Sequence, residues 1–410
     1  MILRPHQDRA LAAMLQHKVG QIIVPTGGGK TLIMIMDLVR RLKQNPGQVA
    51  IIVSPRILLA EQLSAEFLEF IVDANVLHVH SGETHHTKTT KSDKIADWVT
   101  QYADTNRIIF TTYHSLGRVV DAGVDVDVAY FDEAHNSTQR NHFIATAAIS
   151  LSASSSYFFT ATPKHNHNSN ANGMNNSAIY GNTIESVRAQ ELIDGGCIIP
   201  PQVSTYKVDL VRDKKTAAEA DRNMIVDVLD SIEDVIPKVL ISAPSSKVMW
   251  NMLTNSNILN ELKDRGYDVL HITSKYGAYV NKRKVNREVF FDTLTQYGKD
   301  PSRKFVLLHY SILSEGINVP GLTHCIMLRQ MPIIEMAQTV GRVIRMNKDD
   351  AQDIASGKIP AGACHLYRKQ VGKVIVPVFT NYGSAIAKRL QSVVDCIFVQ
   401  GLPAISTMSR

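Results

Sequence analysis

Cysteine is scarce in this chain and poorly placed for chemistry. The 410 residues contain four, Cys197, Cys325, Cys364 and Cys396. None forms a C-x-x-C pair, so neither a zinc site nor a disulfide framework is expected, and a reducing cytosol fits. Long apolar runs are missing as well, and none approaches the length of a membrane span. The start, Met1-Ile2-Leu3-Arg4-Pro5, lacks the charged-then-apolar layout of a signal peptide. A soluble, cytoplasmic protein with no membrane partner is expected. Charged residues make up 20% and hydrophobic ones 44%, a balance that builds cores rather than a disordered chain. The net charge of +6 leans toward a polyanionic partner, of which nucleic acid is the commonest.

A chain of this length favours two or three domains. Short apolar runs alternate with helical patterns, the signature of βαβ units and a mostly parallel sheet. In the first half strands are predicted at Gln21–Val24, Val49–Val53, Arg107–Phe110, Val126–Phe131 and Tyr157–Phe159, with helices at Thr31–Leu42 and Leu58–Ile71. The second half repeats the plan. Strands are predicted at Val239–Ser242, Asp268–Ile272, Lys304–Leu308 and Cys325–Leu328. Helices are predicted at Met249–Arg265, Lys284–Tyr297 and Ile334–Met346. Paired glycines and prolines between Gly195 and Pro201 punctuate the chain strongly. The junction is placed there, giving domains 1–198 and 199–410. The Asn-, Ser- and His-rich stretch Lys164–Ser177 reads as an exposed loop. His165 and His167 within it, and His85-His86 earlier, read as solvated residues rather than metal ligands.

Pro25-Thr26-Gly27-Gly28-Gly29-Lys30-Thr31 follows an apolar strand and opens a helix. Glycines let the backbone wrap around phosphates and aim N–H groups at them, and the helix N-terminus adds its dipole. Lys30 would reach the β- and γ-phosphates, and the Thr31 hydroxyl would bind Mg2+. Val24 stands where the strict pattern has glycine, so this is a variant P-loop; a flexible glycine turn is the alternative. Asp132-Glu133-Ala134-His135 ends the Val126–Phe131 run. Two carboxylates would then stand at the C-terminal edge of a sheet, where ligands bind. Asp132 suits Mg2+ through its water shell, and Glu133 suits deprotonating an attacking water. A capped helix start is the alternative. Thr160-Ala161-Thr162-Pro163 either bridges a nucleotide site to a neighbouring domain or simply ends a strand. Gln7, after Arg4 and Pro5, carries an amide that can pair with an adenine edge; an ordinary surface glutamine is the alternative.

In the second half, Gln338-Thr339-Val340-Gly341-Arg342-Val343-Ile344-Arg345 lies on a predicted helix. Arg342 and Arg345, three apart, would share one face. Two guanidinium groups there can grip a γ-phosphate, or simply form a solvated basic face. Ser314-Glu315-Gly316-Ile317-Asn318-Val319-Pro320 follows another apolar strand.

This ordered set of motifs, with Ser54-Pro55-Arg56 between the first two, resembles the superfamily 2 helicases. The nearest group is the type III restriction-enzyme-like, DEAH-box helicases, and within it the phage-encoded recombination and repair enzymes. The resemblance implies an α/β fold of two tandem RecA-like domains, each a mostly parallel sheet flanked by helices, with ATP held between them. It implies that Gln7, Thr26, Gly27, Gly28, Gly29, Lys30, Thr31, Gly316 and Asn318 bind the nucleotide, although Asn318 stands where the family often has Asp. Lys30, Asp132, Glu133, Arg342 and Arg345 would be catalytic, with Thr31 and Asp132 on Mg2+. Arg56, Thr112 and Tyr113 would face a nucleic-acid strand. His135, Thr160, Thr162 and Gln338 would couple hydrolysis to movement. The implied activity is a nucleic-acid-dependent ATPase motor, DNA being favoured over RNA and a monomer over an oligomer. A P-loop ATPase that binds nucleic acid without unwinding it is the alternative.

Overall fold

The computed structural model describes residues 3–273, 275–310, 319–403 and 405–408. Two compact units divide it: residues 1–188 together with 403–410, and residues 189–402. The contact division thus falls ten residues before the Gly- and Pro-marked junction read from the sequence, and the C-terminal segment belongs to the first unit. Among the described residues, no helix is long and apolar enough to cross a membrane.

The first unit is built on β1 (Val19–Ile23), β2 (Val49–Ser54), β3 (Asn75–Val79), β4 (Thr87–Lys88), β5 (Arg107–Thr112), β6 (Val128–Phe131), β7 (Ser155–Thr160), β8 (Lys164–His165) and β9 (Asn182–Ser186). Eight of these form one sheet in the order β4-β3-β5-β2-β6-β7-β1-β9, and every pairing is parallel. Strands such as Val49–Ser54 and Arg107–Thr112 are buried along their whole length, because helices cover both faces of such a sheet. Parallel pairing also brings every strand's C-terminal end to one edge.

The helix Lys30–Gln44 is fastened to this sheet by a polar cluster. Asp37 is fully buried on it. Its carboxylate accepts the Tyr130 hydroxyl at 2.7 Å and the Arg41 Nε at 2.7 Å, and also pairs with Arg40. Arg41 reaches on to the Tyr157 hydroxyl at 2.8 Å. A buried carboxylate is tolerated because its lone pairs are filled in this way.

The second unit follows the same logic with β10 (Pro201–Val208), β11 (Lys238–Ser242), β12 (Asp268–Thr273), β13 (Gly277–Val280), β14 (Arg283–Val285), β15 (Phe305–His309), β16 (His324–Met327) and β17 (Gly372–Phe379). Their order is β10-β17-β16-β11-β15-β12-β13-β14. Among the described strand pairings of this sheet, only those of the edge strands β12-β13 and β13-β14 are antiparallel. The segment after Pro403 carries β18 (Ser406–Thr407), which pairs with β8. Both units are therefore α/β, with parallel-dominated sheets flanked by helices, as expected for tandem RecA-like domains.

Three readings of the sequence need correction. Lys164–Ser177 is not a loose exposed loop. Asn175 Oδ1 accepts the Asn166 N–H at 2.9 Å, Asn175 Nδ2 returns a bond to the Asn166 carbonyl at 2.8 Å, and Met174 within it is fully buried. The helix predicted at Met249–Arg265 is two, Ser246–Asn255 and Ile258–Asp264. Ser256 breaks it by turning its hydroxyl back onto the Met252 carbonyl. The segment Lys284–Tyr297 begins as strand, and the helix Arg287–Lys299 starts only after Asn286, whose side chain caps it by accepting the Val289 N–H at 2.8 Å.

Candidate nucleotide and nucleic-acid site

The sheet order sets β6, β7 and β1 side by side. Their C-terminal ends deliver the carboxylate pair, the Thr160 hydroxyl and the glycine loop to one edge of the sheet. This is the edge at which open α/β sheets bind ligands.

The loop after β1 turns at Pro25, whose carbonyl accepts the Gly28 N–H at 3.0 Å. Gly29 precedes the helix Lys30–Gln44 with φ +79°, and a Cβ there would meet Gln7 Nε2 at 2.5 Å. The positive φ favours glycine here, and a side chain would also displace the Gln7 amide. The first helix, Pro5–Gln16, rests on this loop. His6 Nε2 lies 2.7 Å from the Gly28 carbonyl, and Gln7 Nε2 donates to the Gly29 carbonyl at 3.4 Å. Gln7 Oε1 also accepts the Arg4 N–H at 3.0 Å, the half of a capping box that an arginine N-cap permits. Gln7 is thus buried against the glycine loop and has backbone partners at both ends of its amide. His6 had no reading from the sequence; its place beside Pro5 at a helix start is the one available signal.

Asp132 and Glu133 stand at the end of β6, both buried. Glu133 has φ +44°, a left-handed conformation rare outside glycine. It opens a short 3-10 helix, Ala134–Thr138, rather than a capped α-helix. Glu133 Oε1 lies 3.8 Å from Lys30 Nζ. Burial, then the neighbouring Glu133 charge, raises the Asp132 carboxyl well above its ordinary range, with Lys30 opposing. Two buried carboxylates thus share one lysine, an excess of negative charge suited to a cation. His135 turns Nδ1 to the Thr160 hydroxyl at 3.0 Å and lies 3.6 Å from Glu133 Oε2. Burial holds this imidazole neutral, down to about 4. Thr160 Oγ1 also accepts the Thr162 N–H at 3.1 Å. Carboxylate, imidazole and hydroxyl so form one chain from β6 to the loop after β7. The Thr162 hydroxyl, almost fully buried, has no hydrogen-bond partner among the described residues.

Of the residues expected to face a nucleic-acid strand, Arg56 is exposed after β2, and Thr112 is buried at the end of β5. Tyr113 does not face outward. Its ring is buried against Phe131 and His142, and its hydroxyl donates to the Asp132 carbonyl at 2.8 Å. It supports the carboxylate pair from below, because β5 ends beside that turn and leaves the ring nowhere else to go.

In the second unit, Arg342 and Gln338 are buried on the helix Ile333–Val343. Arg342 lies close enough to His309 that its charge, after burial itself, helps hold that imidazole down to about 3. Gln338 Nε2 is buried with no hydrogen-bond partner among the described residues. Arg345 does not share a helix face with Arg342. The helix ends at Val343, and Arg345 pairs across a β-bridge with Ile198, its carbonyl accepting Lys369 Nζ at 2.9 Å. Gly316 and Asn318 lie outside the described residues. One basic feature escaped the sequence reading. Lys282, Arg283 and Lys284 stand exposed on the β13–β14 hairpin, beside the positive-φ turn at Asn281. The consecutive charges between Val280 and Val285 were the available signal.

Residues 1–165 match the family model described as type III restriction enzyme, res subunit. Residues 222–347 match the helicase conserved C-terminal domain. The chain therefore matches, in order, a restriction-enzyme res-subunit model and a helicase C-terminal model. Among curated proteins, none matches by sequence. Solved structures with this fold include the ATP-dependent type ISP restriction-modification enzyme LlaBIII bound to DNA, at 16% identity and a TM-score of 0.70, covering 100% of this chain and 31% of that one. A Dbp5 variant from S. cerevisiae bound to RNA and ADP BeF3 aligns at 15% identity and a TM-score of 0.59, over 98% of this chain and 89% of that one. The Mycobacterium smegmatis helicase Lhr bound to single-stranded DNA and AMP-PNP aligns at 15% identity and a TM-score of 0.56, over 96% and 48%. The chain spans less than a third of the length of the type ISP enzymes it resembles.

Proposed function

We propose, from the premise that this chain is a superfamily 2 helicase by both of its matched domains, that it is a nucleic-acid-dependent ATPase motor acting on DNA. The observation that carries the reading is the Lys30–Glu133 pair, 3.8 Å apart, with His135 and Thr160 leading away from it. In this reading the glycine loop binds the phosphates and Lys30 neutralises them. Glu133 orients the attacking water and takes its proton. Thr31 and Asp132 would hold Mg2+, which supplies charge neutralisation on the phosphate oxygens; the surplus carboxylate charge supports the fit. Arg342 stabilises charge on the transferred phosphoryl group.

The hydrogen-bonded chain His135–Thr160–Thr162, which starts 3.6 Å from the Glu133 carboxylate, leaves the site toward the loop after β7, and so relays the state of the nucleotide to the strand-binding surface. Arg56 and the cationic hairpin supply charge for phosphate contacts, which makes binding salt-sensitive and sequence-tolerant. Asp132-Glu133-Ala134-His135 supports placing the chain with DEAH-box enzymes of the kind phages use in recombination and repair, acting as a monomer on branched or tailed DNA.

Tailed DNA and RNA duplexes, incubated with ATP, test this. Strand displacement or protein displacement on DNA is expected. ATP turnover with neither, on any duplex, would reduce the protein to an ATPase that binds nucleic acid without moving on it.

A further inference from the structure

Away from the nucleotide site, three metal-ligating side chains converge. Glu61 lies on the helix Ile57–Leu68, His78 on β3, and His80 just after it. His78 Nδ1 is 3.0 Å from Glu61 Oε1, His80 Nε2 is 3.1 Å from the same oxygen, and the two nitrogens are 3.0 Å apart. These atoms form a nearly equilateral triangle. For metal–ligand bonds of about 2.0–2.1 Å, ligand atoms lie roughly 2.8–3.0 Å apart on an octahedron and roughly 3.3–3.4 Å apart on a tetrahedron. The triangle is thus already one octahedral face, and a tetrahedral one after opening by a few tenths of an ångström.

The chemistry around the triangle supports a cation. Both imidazole side chains are fully buried, while the Glu61 side chain keeps 28% of its exposure and gives a way in. The far atoms are oriented. His78 Nε2 lies 3.1 Å from the Ser64 hydroxyl, and Glu61 Oε2 accepts the Thr84 hydroxyl at 3.0 Å. Such outer partners fix ring and carboxylate direction in metal sites. The nearest cation, Lys88, is drawn off by Glu83 at 3.0 Å. One contact must yield: His80 Nδ1 accepts the Gly82 N–H at 3.2 Å. With a metal on Nε2, Nδ1 carries the proton, so Gly82 has to turn away.

We propose that Glu61, His78 and His80 form a binding site for a first-row divalent cation of the zinc class, two imidazoles and one carboxylate leaving further positions to water. The ion would tie the helix that follows Arg56 to the end of β3. Mg2+, which prefers oxygen ligands, is not its occupant.

The full-length chain, stripped with a chelator, is titrated with Zn2+ and with Co2+ by calorimetry and visible absorption. One equivalent is expected to bind, with Co2+ showing ligand-field bands, in the presence of millimolar Mg2+. His80→Ala and Glu61→Gln should each weaken binding by about 100-fold or more. A variant with both His165→Ala and His167→Ala should bind as the parent does. Glu61 is partly exposed, so Glu61→Gln decides the matter if His80→Ala fails to fold. Absence of a stoichiometric site, or equal affinity in Glu61→Gln, would overturn the proposal.

Discussion

The Lys30 ammonium lies 3.8 Å from the Glu133 carboxylate, although the two residues stand on different elements far apart in the sequence. The pair exists because β1 and β6 are separated in the sheet only by β7. Its two members should fail differently. Lys30→Ala should abolish ATP turnover and weaken ATP binding, because the phosphates lose their main countercharge. Glu133→Gln should retain ATP and stall hydrolysis, since an amide takes no proton from water. Turnover and nucleotide affinity, measured on both variants, check this; normal turnover in Glu133→Gln would assign the base elsewhere.

Arg342 is buried beside His309 rather than displayed on a solvated helix face. In the proposed function this guanidinium stabilises charge during phosphoryl transfer, and that role is open to test. Arg342→Ala should lower turnover by about 10³-fold or more while lowering ATP affinity far less. Arg342→Lys should rescue poorly, because an ammonium lacks the planar fork. Near-normal turnover in Arg342→Ala would remove this residue from the chemistry.

Asp37 holds Arg40, Arg41 and Tyr130 together beneath the helix that carries Lys30. Asp37→Ala removes the carboxylate acceptor of two partly buried guanidinium groups and a buried hydroxyl. Destabilisation of about 3–5 kcal/mol is expected. Urea unfolding of the two proteins measures it, and a loss below about 1 kcal/mol would mean the cluster is incidental.

His271 is buried between Tyr279, stacked on it, and Trp250, and burial pulls its pKa from 6.5 to about 4. Between those values the unfolded chain binds a proton that the folded one refuses, so stability present above pH 6.5 is lost as pH falls toward 4. His271→Phe should therefore lose on the order of 1–2 kcal/mol less than the parent between pH 7 and pH 5. Equal losses in urea unfolding at the two pH values would show that this ring is not kept neutral.

Much of the fold could be read where a strand carries an unbroken run of apolar residues. Val49–Ser54, Arg107–Thr112 and Val128–Phe131 announce themselves because helices cover both faces of their sheet. Asn75–Val79 and Asn182–Ser186 did not, since Asn75, His78 and Glu185 interrupt the apolar pattern. Pro201 read as a breaker, yet it opens the edge strand β10, where a missing N–H costs little. The glycine loop and the carboxylate pair were legible because their chemistry is local. Tyr113 was not, because its direction depends on how β5 and β6 pack. Arg345 was not, because the helix stops two residues earlier and nothing in Val343-Ile344-Arg345 marks the stop. The Glu61–His78–His80 triangle was equally hidden, for its members meet only when the helix Ile57–Leu68 packs beside β3.

The central claim is that ATP hydrolysis at the Lys30–Glu133 pair is driven by a bound strand. ATP turnover should be measured with and without single-stranded DNA, duplex DNA and RNA, across a salt series, for the parent protein and Glu133→Gln. The account predicts severalfold or greater stimulation by DNA in the parent, fading as salt rises, and no turnover in the variant under any condition. A parent rate indifferent to every polynucleotide, or stimulated turnover that survives Glu133→Gln, would contradict it.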